Sequence, residues 1–332
     1  MKEKVTMAAI AKRLGVSTVT VSRALAGKDG VGGPMRASIL KAAGELGYQP
    51  KSTAARSAPE GGTVGILISC RFIGRGHSFY WDLYERVLET LAEREMFGIL
   101  EPVKREDEAG AVLPRILRSG RVQALLLIGQ MEPGYRQALA AAGLPAVQLD
   151  AYHAGSPLDA VISDGYYGMY TVTSYLLRRG HRRIAYLGLV GSTTSITDRY
   201  FGYCRALQEW GVPLREDWVI PDRKENEKFP IPLPAEMPTA FACNCDAVAA
   251  KLLERLAAQG LRVPQDVSVA GFDGFLPSPV SPALTSYAVD MEAMVRASVD
   301  QLAARMAGAC HPPELRIIPG HLVEGESVQS LV

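Results

Sequence analysis

The 332-residue chain is poor in the residues that commit a protein to several common chemistries. Its five cysteines, Cys70, Cys204, Cys243, Cys245 and Cys310, are odd in number and scattered, which excludes a disulfide framework and points to reduced thiols. Cys243 and Cys245 lie close together, but no second cluster completes a metal site, so neither metal nor cofactor is expected. The histidines His77, His153, His181, His311 and His321 are dispersed. There is no His-Glu-x-x-His zinc helix, no Gly-x-x-x-x-Gly-Lys-Ser/Thr phosphate loop and no Gly-x-Ser-x-Gly elbow, so no enzyme is expected. No segment approaches about 18 uninterrupted apolar residues, and the opening Met1-Lys2-Glu3-Lys4-Val5-Thr6 has no apolar run behind its charges. A cytoplasmic protein without a membrane partner is expected.

Net charge is low as well, formally +1, but it is unevenly placed. Residues 1–60 carry ten Lys/Arg against four acids, and the remainder carries 26 against 31. A compact basic head on a mildly acidic body suits a polyanionic partner for the head alone, because neutralising phosphates releases counterions and needs clustered cations.

Inside that head the apolar pattern is helical. Met7, Ile10, Ala11 and Leu14 recur at the i, i+3, i+4, i+7 spacing of one helical face, with Thr6 as cap and Gly15 as stop. Ser17 caps a second helix, Thr18–Leu25, with Val21, Ala24 and Leu25 inward. Two helices separated by three residues including a glycine form a helix-turn-helix. A third helix, from about Met35 to Leu46, supplies Ile39, Leu40, Ala43 and Leu46 to a common core. In this geometry the first turn of the second helix faces base edges in the major groove. Thr18 and Val19 are then candidate readers, Val19 through apolar contact, and Arg23 one turn on can reach guanine or phosphate. Thr6, Ser17, Thr20 and Ser22 carry hydroxyls and N-terminal amides suited to phosphate oxygens.

The run from Val5-Thr6-Met7 through Gly15-Val16-Ser17-Thr18-Val19-Thr20-Val21-Ser22-Arg23-Ala24-Leu25, followed by Leu46-Gly47-Tyr48-Gln49-Pro50, resembles the head of the lactose-repressor (LacI/GalR) family of bacterial transcriptional regulators. The resemblance implies a homodimer whose two heads dock on pseudo-palindromic double-stranded operator DNA, with a hinge helix after Pro50 in the minor groove. Ala54, Ala55 and Ser57 fall on that hinge. Family hinges usually place a leucine where this chain has Ser57, and paired leucines wedge between base pairs, so this hinge is expected to bend DNA less.

Beyond the head, short apolar runs alternate with amphipathic segments. Strands are expected at Val64–Ile68, Phe97–Leu100, Ala124–Ile128, Ala146–Leu149 and Ala160–Ile162, with helices near Tyr80–Arg94, Ala109–Ser119 and Gly134–Ala142 between them. A second set follows: helices Tyr170–Arg179, Tyr200–Trp210 and Asp246–Gln259, and strands Ile184–Leu187, Ala240–Cys243 and Val267–Ala270. This alternation predicts an α/β body with parallel sheets covered by helices on both faces. Ligands bind such sheets at strand C-termini. Arg199, placed at a helix start after the polar Ser192-Thr193-Thr194-Ser195 loop, can fork onto hydroxyls or a carboxylate, and Asp273, ending a strand, can accept from hydroxyls. Ser195 and Asn244 occupy similar positions, and Phe79 and Tyr80 can stack on a ring.

The family resemblance extends over this body through Arg179-Gly180-His181-Arg182-Arg183-Ile184, Asp198-Arg199-Tyr200-Phe201-Gly202-Tyr203 and Val267-Ser268-Val269-Ala270-Gly271-Phe272-Asp273. It implies two periplasmic-binding-protein-like lobes with a small-molecule effector, a sugar or related metabolite, in the cleft. The implied organisation is a helix-turn-helix head over 1–50, a hinge over 51–62, an N-terminal lobe from 63–162 with 290–318, and a C-terminal lobe from 163–289 with 319–332. The function read from these features is a sequence-specific regulator, a repressor, whose operator affinity an effector modulates. A solute-binding receptor-like sensor without regulatory DNA binding is the competing reading, since its body would look alike.

Overall fold

The computed structural model describes residues 7–25, 32–45, 61–73, 78–223, 231–276 and 278–332, in two units divided between Ala58 and Pro59. Thr6, Ala54, Ala55 and Ser57 lie outside the described residues, as does the side chain of Ser22.

The first unit holds three helices, α1 (Met7–Leu14), α2 (Thr18–Leu25) and α3 (Gly33–Glu45). Gly15 turns the chain at φ +64°, a left-handed value that costs glycine little. Ser17 Oγ then accepts the Thr20 N–H at 3.0 Å and caps α2. Ile10, Ala11, Val21, Ala24, Ile39, Ala42 and Ala43 form the core. Leu40, expected inside, is instead 52% exposed. Ile39, Ala42 and Ala43 share the inward stripe at i, i+3 and i+4, which turns Leu40 away.

The second unit contains two six-stranded sheets. The first is wholly parallel, in the order β11-β5-β4-β3-β1-β2, from β1 (Thr63–Ser69), β2 (Phe97–Val103), β3 (Ala124–Ile128), β4 (Ala146–Leu149), β5 (Asp159–Ser163) and β11 (Leu315–Ile318). The second runs β12-β10-β9-β8-β6-β7, from β6 (Ile184–Leu187), β7 (Val219–Ile220), β8 (Ala240–Cys243), β9 (Ser268–Asp273), β10 (Thr285–Ala288) and β12 (His321–Val323), antiparallel only at the β10–β12 edge. Side chains alternate between two buried faces, which is why the strands read as continuous apolar runs. Val64, Ile66 and Ile68 enter one core and Leu67 another; Ala124, Leu126 and Ile128 part from Leu125 and Leu127 in the same way.

Helices α4 (Phe79–Ala92), α5 (Arg105–Ala109), α6 (Arg115–Arg118), α7 (Pro133–Ala141), α8 (Gly165–Arg178), α9 (Thr194–Glu209), α10 (Asp246–Ala257) and α11 (Met291–Met306) complete the unit. The single helix expected over Ala109–Ser119 is two short ones. Pro114, which has no N–H to continue a helix, stands at the start of α6, and Ala111 turns at φ +49° between them. Strands β7, β10, β11 and β12 and helix α11 were not among the expected elements.

The chain passes between the sheets after β5, between β10 and α11, and between β11 and β12. α11 packs on α4, β3, β4 and β5, so it belongs to the first lobe although it follows strands of the second. A two-pronged ion pair holds its end: Arg305 Nε and Nη2 lie 2.7 and 2.8 Å from the Asp159 oxygens, and the Glu314 N–H donates to the same carboxylate at 2.8 Å. α8 and α9 share the most intimate helix contact, and Gly202 permits it: a Cβ there would lie 2.0 Å from the Tyr166 carbonyl oxygen.

Candidate functional site

On the head, Thr18, Val19 and Arg23 of α2 are exposed, and Val19 is 63% exposed although it is apolar. The solvent face of α2 therefore offers an apolar side chain, a hydroxyl and a guanidinium, the set needed to read base edges. Thr20 and Ser17 share a hydroxyl–hydroxyl contact of 2.8 Å at the start of that helix.

In the body, a cavity of ≈ 420 Å³ lies at the C-terminal ends of the strands of both sheets. All six residues expected to bind ligand, Phe79, Tyr80, Ser195, Arg199, Asn244 and Asp273, line it. Arg199 does not begin a helix, as expected; it sits on the second turn of α9, which starts at Thr194. The polar stretch read as a loop is a cap, with Thr193 Oγ1 accepting the Ile196 N–H at 3.2 Å.

Arg199 is the centre of the site. It is 5% exposed, its Nη1 donates to the Asn244 carbonyl at 2.6 Å, its Nη2 lies 3.0 Å from Asp273 Oδ1, and its guanidinium stacks 3.9 Å over the Phe272 ring. Its Nε–H finds no acceptor among the described residues. A buried, unpaired guanidinium N–H at a cavity wall is costly unless a ligand completes it. Burial opposes the Arg199 charge, but Asp273 and Asp150 outweigh it and keep the guanidinium more firmly protonated than usual.

The carboxylates around it answer to burial. Desolvation pushes Asp150 up to about 6 against the pull of Arg199 and the Tyr80 hydroxyl, which donates to it at 3.0 Å. Asp273 is likewise pushed up to about 6 by burial, with Arg199 opposing. Asp246, the first residue of α10, is pushed up to about 7 by burial and by Asp273. It accepts the Ser286 hydroxyl at 2.6 Å and the Phe275 N–H at 2.9 Å. Only glycine fits beneath it, since a Cβ on Gly271 would come within 2.0 Å of its Oδ1.

Asn244 lines the cavity with its side-chain amide already committed to the Leu187 carbonyl at 2.9 Å, and its own carbonyl orients Arg199. Phe72 and Tyr80 stack at 4.7 Å and build the aromatic wall with Phe79 and Phe275. Cys245 also faces the cavity; burial lifts its thiol to about 12, so it is a neutral, soft wall. Sequence reasoning missed Asp150, Asp222, Arg223 and Lys251. Asp150 follows the last residue of β4, the same signal that marked Asp273, whereas Asp222 follows a strand of two residues with no periodicity to read. Among the described residues no group of three or more His, Cys, Asp or Glu side chains is placed to hold a metal ion. No helix among them is long and apolar enough to cross a membrane.

Residues 6–51 match the family described as bacterial regulatory proteins, lacI family, and residues 173–328 match the periplasmic binding protein-like domain. The chain belongs to the LacI/GalR family. Among LacI/GalR members it is 29% identical to the HTH-type transcriptional repressor PurR of Yersinia pestis bv. Antiqua (strain Antiqua), over 96% of this chain and 95% of that protein. It is 28% identical to PurR of Vibrio atlanticus (strain LGP32), over 97% and 98%. Its fold is similar to that of the transcriptional regulator CelR in complex with cellobiose, with a TM-score of 0.68, 26% identity and coverage of 97% of this chain and 99% of that one. It is also similar to the lac repressor dimer bound to operator and the anti-inducer ONPF, with a TM-score of 0.64, 21% identity and coverage of 99% and 100%. As a LacI/GalR protein the chain is a DNA-binding transcriptional regulator with an effector-binding body.

Proposed function

We propose that the protein is a cytoplasmic, homodimeric repressor without catalytic activity, and that it reads a pseudo-palindromic operator and releases or tightens on it when a neutral sugar enters the cleft. The observation that carries the effector reading is Arg199 in the cavity wall, buried between Asp273 and the Phe272 ring, with its Nε–H lacking an acceptor among the described residues. An arginine–carboxylate pair offers donor and acceptor together, which suits vicinal hydroxyls. Charge supports a neutral ligand. Asp150, Asp222 and Asp273 face Arg199, Arg223 and Lys251 around the cavity, so a net charge on the effector would find no matching excess. The aromatic wall of Phe72, Phe79, Tyr80 and Phe275 supplies an apolar face for a sugar ring. The kinship with PurR and CelR, a repressor and a cellobiose-bound regulator by name, supports the same reading.

In the head, α2 would read the major groove through Thr18, Val19 and Arg23, with Ser17 and Thr20 on phosphates. An effector that binds one lobe arrangement better than another shifts the population of that arrangement, and with it the operator affinity. Two measurements test this. DNA selected from random sequence by the full-length chain should yield a pseudo-palindrome, and a thermal-shift screen over neutral sugars, sugar phosphates and nucleobases should raise the melting temperature with neutral sugars alone. Stabilisation by phosphorylated sugars or nucleobases instead would overturn the neutral-sugar reading.

A further inference from the structure

The two lobes meet directly beside the cavity. Phe79 of α4 packs edge-on against Phe275, which follows β9, at 6.3 Å between ring centroids. The second meeting point is polar. Gln130, just after β3, places its side-chain oxygen 2.9 Å from the Thr194 N–H, the first amide of α9 in the other lobe.

The first amides of a helix have no acceptor within the helix. Thr193 Oγ1 serves the Ile196 N–H, and the Thr193 carbonyl serves the Thr197 N–H. Thr194 is served from across the cleft. Gln130 is itself held in place, since its carbonyl accepts Arg71 Nη2 at 2.6 Å. The preceding Gly129 turns at φ +76° with Phe72 and Tyr80 pressed against it; a Cβ there would meet their rings at 3.0 to 3.1 Å. The same turn that seats the aromatic wall therefore aims Gln130 at α9. Gln130 is not among the residues lining the cavity, and α9 carries three that are, Ser195, Ile196 and Arg199.

We propose that Gln130 is a positioning residue of the effector cleft, an interlobe clasp that caps α9 from the opposite lobe and so couples the setting of Ser195 and Arg199 to lobe closure. Its consequence for recognition rests on the effector reading above; the clasp itself does not. A ligand that bridges the lobes needs them closed, and its apparent affinity scales with the closed fraction. One hydrogen bond to an otherwise unpaired helix amide shifts such an equilibrium by about five-fold.

The test uses the full-length, ligand-free chain with spin labels carried by unnatural amino acids on exposed sites of each lobe, and compares Gln130→Leu with Gln130→Glu. Leu keeps the bulk and loses the acceptor. Glu keeps the acceptor and adds a negative charge favoured at a helix N-terminus. The expected result is a shift of the interlobe distance distribution toward longer separations in Gln130→Leu. Amide hydrogen exchange over residues 194–197 should rise about five-fold there, while β8 and α10 exchange as in the parent. Gln130→Glu should match the parent or close further. Parent-like distances and exchange in Gln130→Leu, or equal changes in both variants, would overturn the clasp. If the distances follow the acceptor while no sugar stabilises the parent chain, the clasp stands and the effector reading fails.

Discussion

Asp273 meets Arg199 at 3.0 Å from a backbone held at φ +103°, a conformation that non-glycine residues rarely adopt. The turn is held from outside itself. Asp246 accepts the Phe275 N–H, and Ser286, which donates to Asp246, accepts the Gly274 N–H at 3.3 Å. The strain directs one carboxylate at one guanidinium, and the resulting pair is the cleft's main polar feature.

Replacing Arg199 with lysine should therefore weaken recognition while sparing the charge balance. An ammonium cannot donate to the Asn244 carbonyl, meet Asp273 and stack on Phe272 at once. Effector affinity measured by titration calorimetry should fall by about 100-fold, within the 2–5 kcal/mol range for breaking a buried charged hydrogen bond at an interface. Operator affinity of the effector-free variant should match that of the effector-free parent. An Arg199→Lys affinity within a factor of three of the parent would show that the ligand contacts lie elsewhere.

Asp150 predicts a pH dependence of stability. Its folded carboxyl is raised to about 6, so folding favours the protonated form. That contribution is fully present below the ordinary carboxyl range and is lost as pH rises through about 6. Asp150→Asn removes the buried charge, so its melting temperature relative to the parent should climb between pH 5 and pH 7.5, by about 2 °C. A constant difference across that range would contradict the assignment. Asp273 and Asp246, raised to about 6 and about 7, act with the same sign, which is why the single-residue comparison is the informative one.

Gly202 offers a test of the α8–α9 contact. On helix propensity alone, glycine to alanine in α9 should stabilise by about 1 kcal/mol. The Tyr166 carbonyl oxygen 2.0 Å from the new Cβ reverses that expectation. Urea unfolding should show Gly202→Ala destabilised by about 1–3 kcal/mol. A gain in stability would mean that the helices separate without cost.

For the head, Arg23→Ala should weaken binding to the selected operator by about 1–3 kcal/mol and relax discrimination at one position of each half-site. Val19→Ser, which loses an exposed methyl surface, should reduce preference at a thymine and leave non-specific binding unchanged. Gel-shift titrations against operator and random DNA measure both effects. Unaltered discrimination in both variants would remove α2 from base reading.

The amino-acid pattern by itself determined the head and the class of body. Gly15, the Ser17 cap and the spacing of Ile10, Ala11, Val21 and Ala24 are local signals, and helices with caps follow from them without reference to the rest of the chain. The apolar runs of β1, β3, β6 and β8 likewise declare strands buried on both faces. Tertiary structure alone decided the cleft. It brought Asp150 beside Tyr80, set Phe275 against Phe79 and laid Gln130 on Thr194. It also turned the expected loop before Arg199 into the first turn of α9. These partners stand far apart in sequence and carry no shared period; the strand order of the first sheet places Asp150 beside Tyr80, and the passages of the chain between the sheets place the other two pairs together.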